Sequence, residues 1–307
     1  MTSTVAVEVA VAPRILLEAD LVPIQGRRFQ PTGFPDIGPA EFTGADNESH
    51  LLVESAQSMA NRLEEAIWDE RRDDLVEALT GMPYVKTTDP DLGATNSILE
   101  SHRLNSPYIV KKIEKHLVGE LNWNQKIRPD LPELARYLLK HDPNSIVHGI
   151  FFSNVKPGTL RLPRLLSGFI EAERVNQVPS GGVKFDRLDA QGSAKDGKGH
   201  VPFHRVEYTA EKITAYFNFD RHQLQSYGLS ETANEFIETL ALYKIRRFLD
   251  VDLRLRTACD LEVVKLSSKR PKGFELGSES ELAAKLKEQV KALTSSGEFN
   301  KPAVWEV

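Results

Sequence analysis

The side chains best suited to chemistry in this sequence are donors for anions, and they fall in short clusters. Residues 22–38, VPIQGRRFQPTGFPDIG, hold adjacent Arg27 and Arg28, then Gln30 and Thr32, among three glycines and three prolines. Arginine offers a planar fork of N–H groups that grips phosphate or carboxylate oxygens in pairs. Gln and Thr reach sugar hydroxyls or phosphate oxygens without reading base sequence. Glycine and proline fix a loop that can come close to a phosphate chain. A structural loop with incidental arginines is the competing reading of the same residues.

A second cluster, Gln57, Ser58, Asn61 and Arg62, lies in AQSMANRLEE. If that stretch is helical, its free N-terminal N–H groups favour anions. Gln57 and Asn61 then flank the apolar stripe, Ser58 and Arg62 lie on the open face, and the spacing does not decide between these flanks. Two His-Arg dipeptides, His102-Arg103 and His204-Arg205, sit in polar segments. A histidine beside an arginine could move a proton on a phosphodiester, but surface or binding roles are commoner for loop histidines. Lys184 and Phe203 stand near the second dipeptide. Phe203 could wedge against an unstacked base, with a buried core role as the alternative.

Other chemistries lack their motifs. There is no G-x-x-x-x-G-K-[S/T], no G-x-G-x-x-G, no H-E-x-x-H and no G-x-S-x-G; the residues that cradle nucleotide phosphates, bind catalytic zinc or form a hydrolase elbow are therefore missing. No cofactor and no metal is expected. The one cysteine, Cys259, excludes an internal disulfide and reads as a core thiol, and His148 reads as a satisfied core residue.

These clusters need elements to position them. Residues 14–21 read as a strand, and 22–50 form a Gly/Pro loop too long for a simple connection. Ala56, Met59, Ala60, Leu63, Ala66 and Ile67 recur at helical spacing and predict a helix over 56–72. Residues 80–130 read as irregular apart from a helix at 107–120, and 131–141 reads as a helix with Pro132 in its first turn. SIVHGIFFS (145–153) and 162–175 read as buried strands. Residues 177–204 form a glycine-rich excursion, with a 192–199 tip expected to order only on binding. Residues 207–220 supply strand material, 232–249 a helix opened by a Thr232/Glu235 capping box, 253–266 a strand, and 278–293 a last helix. Without the insertions, the order approaches the split β-α-β-β-α-β arrangement of ferredoxin-like and RNA-recognition folds.

The chain has 307 residues, 40% of them hydrophobic, and a formal net charge of -5. Nucleic-acid-binding domains are more often basic, so such a role must rest on local clusters. No apolar run reaches the ~18 residues of a membrane helix, and the N-terminus lacks the basic start and apolar centre of a signal peptide. A cytoplasmic protein with no membrane contact is the expectation.

PIQGRRFQPTGFPDIGPAEF, LLVESAQSMANRLE, VHGIFFS, SGFIEA, GGVKFD and VPFHRVEYTAEKITAYFNFD occur in this order. Together they resemble the backbone subunit of type I-G (formerly I-U) CRISPR surveillance complexes, a member of the RAMP superfamily, over about residues 14–266. The resemblance implies an α+β, ferredoxin-like/RRM-like palm (14–30, 51–80, 131–176, 207–268). It also implies long finger insertions (31–50, 81–130), a thumb hairpin (177–206) and a helical tail (270–307). It implies a non-catalytic subunit that polymerises along CRISPR RNA and leaves guide bases to pair with a target DNA strand. The partners would be CRISPR RNA, target DNA, further copies of the chain and other Cascade subunits. The RNA-binding set would be Arg27, Arg28, Gln30, Thr32, Gln57, Ser58, Asn61, Arg62, His102, Arg103, Lys184, Phe203, His204 and Arg205. The alternative is a RAMP-type endoribonuclease cutting guide-bound target RNA with a loop acid, Asp36 or Asp89.

Overall fold

Alternation writes the first strand. In β1 (Arg14–Pro23), Ile15, Leu17, Ala19 and Leu21 are buried while the residues between them reach solvent, the period of a sheet with one packed face. The computed structural model describes residues 12–34, 36–123, 129–153, 155, 158–189, 191–196 and 199–307; the remainder of the 192–199 tip, residues 197 and 198, lies outside them.

After the Arg27-Arg28 loop come short β2 (Gly33–Phe34) and β3 (Gly38–Pro39), then β4 (Glu41–Thr43) and β5 (Ser49–Glu54). Helix α1 (Ala56–Glu65) starts at Ser55, whose Oγ accepts from Ser58 N at 3.3 Å. It ends at Glu65, not 72. Asp69 Oδ1 accepts from Arg71 N at 3.0 Å, a side-chain bond that competes with helix. Residues 68–75 instead fold as a hairpin of β6 (Trp68–Asp69) and β7 (Asp74–Leu75).

The 80–130 stretch is more regular than its sequence suggests. It holds a hairpin of β8 (Tyr84–Asp89) and β9 (Gly93–Asn96), then α2 (Pro107–Glu120). Helix α3 (Leu131–His141) carries a reciprocal Asp130/Glu133 box and Pro132 in its first turn.

Residues 145–153 are not one strand. Asn144–His148 form a helical turn, α4, Gly149 takes φ 76, and β10 (Ile150–Phe152) then pairs with β11 (Leu160–Leu162). The reason is a shared partner: Lys244 Nζ bonds both Asn144 Oδ1 and His148 Nε2. Residues i and i+4 present one face only in a helix.

Then come β12 (Leu166–Glu173), β13 (Asn176–Lys184), β14 (Val201–Thr209), β15 (Lys212–Asp220), α5 (Arg221–Gln225) and α6 (Glu231–Val251). The cap of α6 is Ser230, whose Oγ accepts from Ala233 N at 3.1 Å, not Thr232. The 253–266 segment is a hairpin of β16 (Arg254–Arg256) and β17 (Cys259–Arg270), turned at Ala258 with φ 60. Helix α7 (Glu279–Ser296) and β18 (Val304–Glu306) follow.

The main sheet is antiparallel in the order β16-β17-β1-β15-β12-β5-β4. Helices α1 and α6 pack on its buried face, where Leu17, Ala19, Ile170, Ala215 and Phe217 lie against Met59, Leu63, Leu240 and Phe248 in one core. Gly168 sets the closeness of α1 to β12: a Cβ there would stand 2.9 Å from the Phe217 ring and 3.1 Å from Met59 Cγ. Helix α7 packs on α6, and β18 runs parallel to β8, so the C-terminal segment returns to the 81–130 insertion. No helix among the described residues is long and apolar enough to cross a membrane.

Candidate nucleic-acid interface

The Arg27-Arg28 loop is held by its main chain and one apolar pin. Ile24 N donates to Asp260 O at 3.0 Å and Gln30 N to Ala258 O at 2.8 Å, fixing the loop to β17 and its turn. Phe29 is fully buried and exchanges two 2.9 Å hydrogen bonds with Tyr208 of β14. Gly26 (φ 73) turns the chain before the pin. Arg27 and Arg28, immediately before this attachment, are exposed, while Gln30 and Thr32 after it are half-buried.

The loop meets the base of the β13–β14 hairpin at one carboxylate. Glu207, 4% exposed, takes Arg28 Nη1 at 3.3 Å and Arg205 Nη2 at 2.5 Å. Two guanidinium groups share one acid, which leaves excess positive charge beside exposed Arg27. Ion pairs of half-exposed arginines contribute ~0–1 kcal/mol, so phosphate can compete for them at little cost to the fold.

Directly paired residues in a hairpin share a face, and β13–β14 register sorts the expected set. Phe203 lies opposite Gly182, Arg205 opposite Ser180 and Lys184 opposite Val201, so Lys184, Phe203 and Arg205 share the face of Glu207. His204 lies opposite Gly181 and points to the other face with Tyr208; it is not brought together with its neighbours. Phe203 is 53% exposed, not buried, and a Cβ at Gly182 would touch its ring at 3.4 Å. Phe185 and Leu188 at the tip are also exposed.

The start of α1 resolves the two flanks of that helix. Buried Glu54 collects Ser58 Oγ, Arg62 Nε (2.7 Å) and Arg256 Nη2, and Arg62 Nη2 also donates to Leu255 O at 2.5 Å. Ser58 and Arg62 do not form an open face; they tie α1 to β5 and β16. Gln57 and Asn61 are the exposed flank. Arg256 Nη1 also donates to Gln30 O at 3.2 Å, joining this cluster to the loop. Glu54, Glu207 and Arg256 carried no signal in the sequence; they are acids and a base at strand positions that only the pairing brings together.

His102 and Arg103 separate as well. His102 is exposed. Arg103 is a buried residue rather than a loop arginine: its Nε and Nη2 bond Glu64 at 2.7 and 2.8 Å, and its φ is 52. Asn144 Nδ2 also donates to Glu64, at 2.6 Å, and links it to Lys244 and His148. Burial draws the fully enclosed Lys244 amine down to about 7 and pushes the Asp142 carboxyl up to about 7. Beside this network a cavity of about 390 Å³ is lined by His102, Asn105, Phe151, Arg161 and Arg164, with no acid on its wall among the described residues.

The two acids proposed for cutting RNA lie in separate turns. Asp36 is exposed in the β2–β3 turn. Asp89 Oδ1 accepts from Asp91 N and Leu92 N at 2.9 and 3.0 Å, closing the β8–β9 turn. Cys259 is buried, and burial pushes its thiol up to about 11.

A family model described as CRISPR-associated protein GSU0053 matches residues 15–177, just over half of the chain. The chain belongs to the GSU0053 family of CRISPR-associated proteins. The family match spans β1, the arginine loop, α1 and β12, and ends as the hairpin begins. No curated protein matches by sequence. Among solved structures, a "CRISPR RNA-guided surveillance complex, pre-nicking" is similar with TM-score 0.43 and 12% identity, over 92% of this chain and 89% of that one. A "CRISPR RNA-guided surveillance complex" has TM-score 0.38 and 10% identity, over 92% and 84%. Csc2 of Thermofilum pendens has 0.34 and 9%, over 94% and 81%.

Proposed function

We propose that this GSU0053-family chain is a non-catalytic subunit that holds CRISPR RNA by its sugar-phosphate backbone, polymerises along it, and leaves guide bases to pair with a target DNA strand within a type I-G Cascade complex. The observation that carries this reading is the corner where the pinned loop meets the hairpin. Arg28 and Arg205 share the single acid Glu207 there, Arg27 is exposed next to Arg28, and Lys184 and exposed Phe203 stand further out on the same face of the hairpin. Charge of that kind binds phosphate without reading sequence, and an exposed ring stacks on any base. Gln57 and Asn61 extend the polar surface along α1.

A ferredoxin-like palm fits the topology. In chain order, β1, β12, β15 and β17 with crossover helices α1 and α6 lie as 4-1-3-2, each antiparallel to its neighbour. That is the split β-α-β-β-α-β order. The hairpin then serves as the thumb, and 81–130 as a finger.

The test is a pair of substitutions at exposed positions. Arg27→Ala with Arg28→Ala should weaken binding about equally for unrelated RNA sequences and lower the salt slope by about 1 per residue that contacts phosphate, with unfolding free energy within about 1 kcal/mol of wild type. Equal affinity of variant and wild type at moderate salt would overturn the assignment. Labelled complementary RNA, incubated with the assembled complex and magnesium, should stay intact.

A further inference from the structure

Away from the arginine corner, three potential metal-ligating side chains converge where α2, α3 and the C-terminal strand meet. His116 and Glu120 stand one turn apart at the end of α2, and His141 is the last residue of α3. Their ligand atoms all lie within 4.8 Å of one another, the one such group of histidine, cysteine and acid among the described residues. Glu120 Oε2 is 3.0 Å from His141 Nε2 and 3.4 Å from His116 Nε2. Ligand atoms on a tetrahedral ion with bonds of ~2.0–2.1 Å stand roughly 3.3 Å apart, so these spacings match two edges of such a site.

We propose that His116 Nε2, Glu120 Oε2 and His141 Nε2 bind a divalent transition-metal ion of the Zn²⁺ class, which cross-links the ends of α2 and α3. This inference is independent of the RNA reading. Two imidazoles and one carboxylate are a donor set for Zn²⁺ and its neighbours rather than for Mg²⁺ or Ca²⁺.

The surroundings are arranged for a cation. Both helices present their C-terminal ends, where the peptide dipoles place partial negative charge. Lys140 Nζ engages the other oxygen of Glu120, Oε1, and leaves Oε2 to the histidines. The Tyr137 hydroxyl lies 3.4 Å from His116 Nδ1; a proton held there leaves the Nε2 lone pair for a metal, the usual role of an outer hydrogen bond. His141 is 3% exposed, and its Nδ1 has no hydrogen-bond partner among the described residues, so its polar contact there runs through Nε2. Trp305 of β18 covers the group, its ring centroid 4.6 Å from that of His116 and 5.0 Å from that of His141. An ion here would hold α2, α3 and the tryptophan-bearing strand together, with three protein ligands and a fourth position for water.

The competing account is an imidazole–carboxylate hydrogen-bond cluster with no ion. Untagged full-length protein, stripped with a chelator, separates the two. Titration with Zn²⁺ by calorimetry should give one ion per chain and raise the melting temperature, and Co²⁺ should give the visible absorption of a four-coordinate site. His116→Ala, at a half-exposed position that tolerates truncation, should lower zinc affinity at least about 100-fold, since loss of an outer partner alone costs 10–100-fold. It should also abolish the cobalt band. His222→Ala, on exposed α5, should bind as wild type does. Equal zinc affinity for wild type, His116→Ala and Glu120→Gln, or no uptake by wild type, would overturn the site.

Discussion

The two His-Arg dipeptides are alike in sequence and opposite in fate. At 102–103, the guanidinium turns inward to a bidentate bond with Glu64 and joins a network of Asn144, Lys244 and His148. At 204–205, strand alternation throws the two residues to opposite faces, and the guanidinium stays near solvent, sharing Glu207 with Arg28. An arginine enclosed with a dedicated carboxylate fixes structure. An arginine that shares one has charge left for a ligand.

The sharpest way to break that contrast is at the enclosed member. Arg103→Ala strands the Glu64 carboxylate in the interior and should cost about 3–5 kcal/mol of unfolding free energy, read by urea denaturation, while Arg205→Ala should cost less than about 1. Equal losses would remove the distinction.

The same network should print itself on pH. Burial holds the Lys244 amine near 7 in the fold, against ~10.4 in the unfolded chain. Between those values the unfolded state binds the extra proton, so this group's contribution to stability rises with pH through that window and is smallest below pH 7. Relative to Lys244→Met, wild type should gain stability by about 1 kcal/mol per pH unit there. A flat difference would mean the amine remains charged in the fold.

On the open side the hairpin face sharpens the comparison. Phe203→Ala should weaken RNA binding by about 1–3 kcal/mol if its ring stacks on a base, measured by fluorescence anisotropy. His204→Ala, on the other face, should change affinity by less than about twofold. The reverse ranking would place the nucleic acid on the opposite side of the hairpin.

Much of the scaffold was legible. The apolar run at 14–21 announced β1, an apolar stripe announced α1, and Pro132 announced the first turn of α3. What escaped was set by partners distant in the chain. Asn144 and His148 fold as a helical turn because Lys244, about a hundred residues away, needs both. Ser58 and Arg62 looked solvent-facing until Glu54 and Arg256 closed on them. The arginine loop was found from its composition, but its pin on Tyr208 was not, since Phe29 looks like any loop aromatic. His116 and Glu120 show helical i, i+4 spacing in the sequence, yet the third member, His141, lies in the next helix and fits no spacing motif.

The bridge between Phe29 and Tyr208 has a mechanical consequence. β14 runs unbroken from Val201 to Thr209, a rod of roughly 30 Å whose inner end is bolted to the arginine loop by two 2.9 Å hydrogen bonds. The hairpin is thus a lever with its fulcrum at the loop. Any tilt of its tip must carry residues 27–29 along or snap both bonds, so force applied by a neighbour at the far end would be felt where the arginines stand.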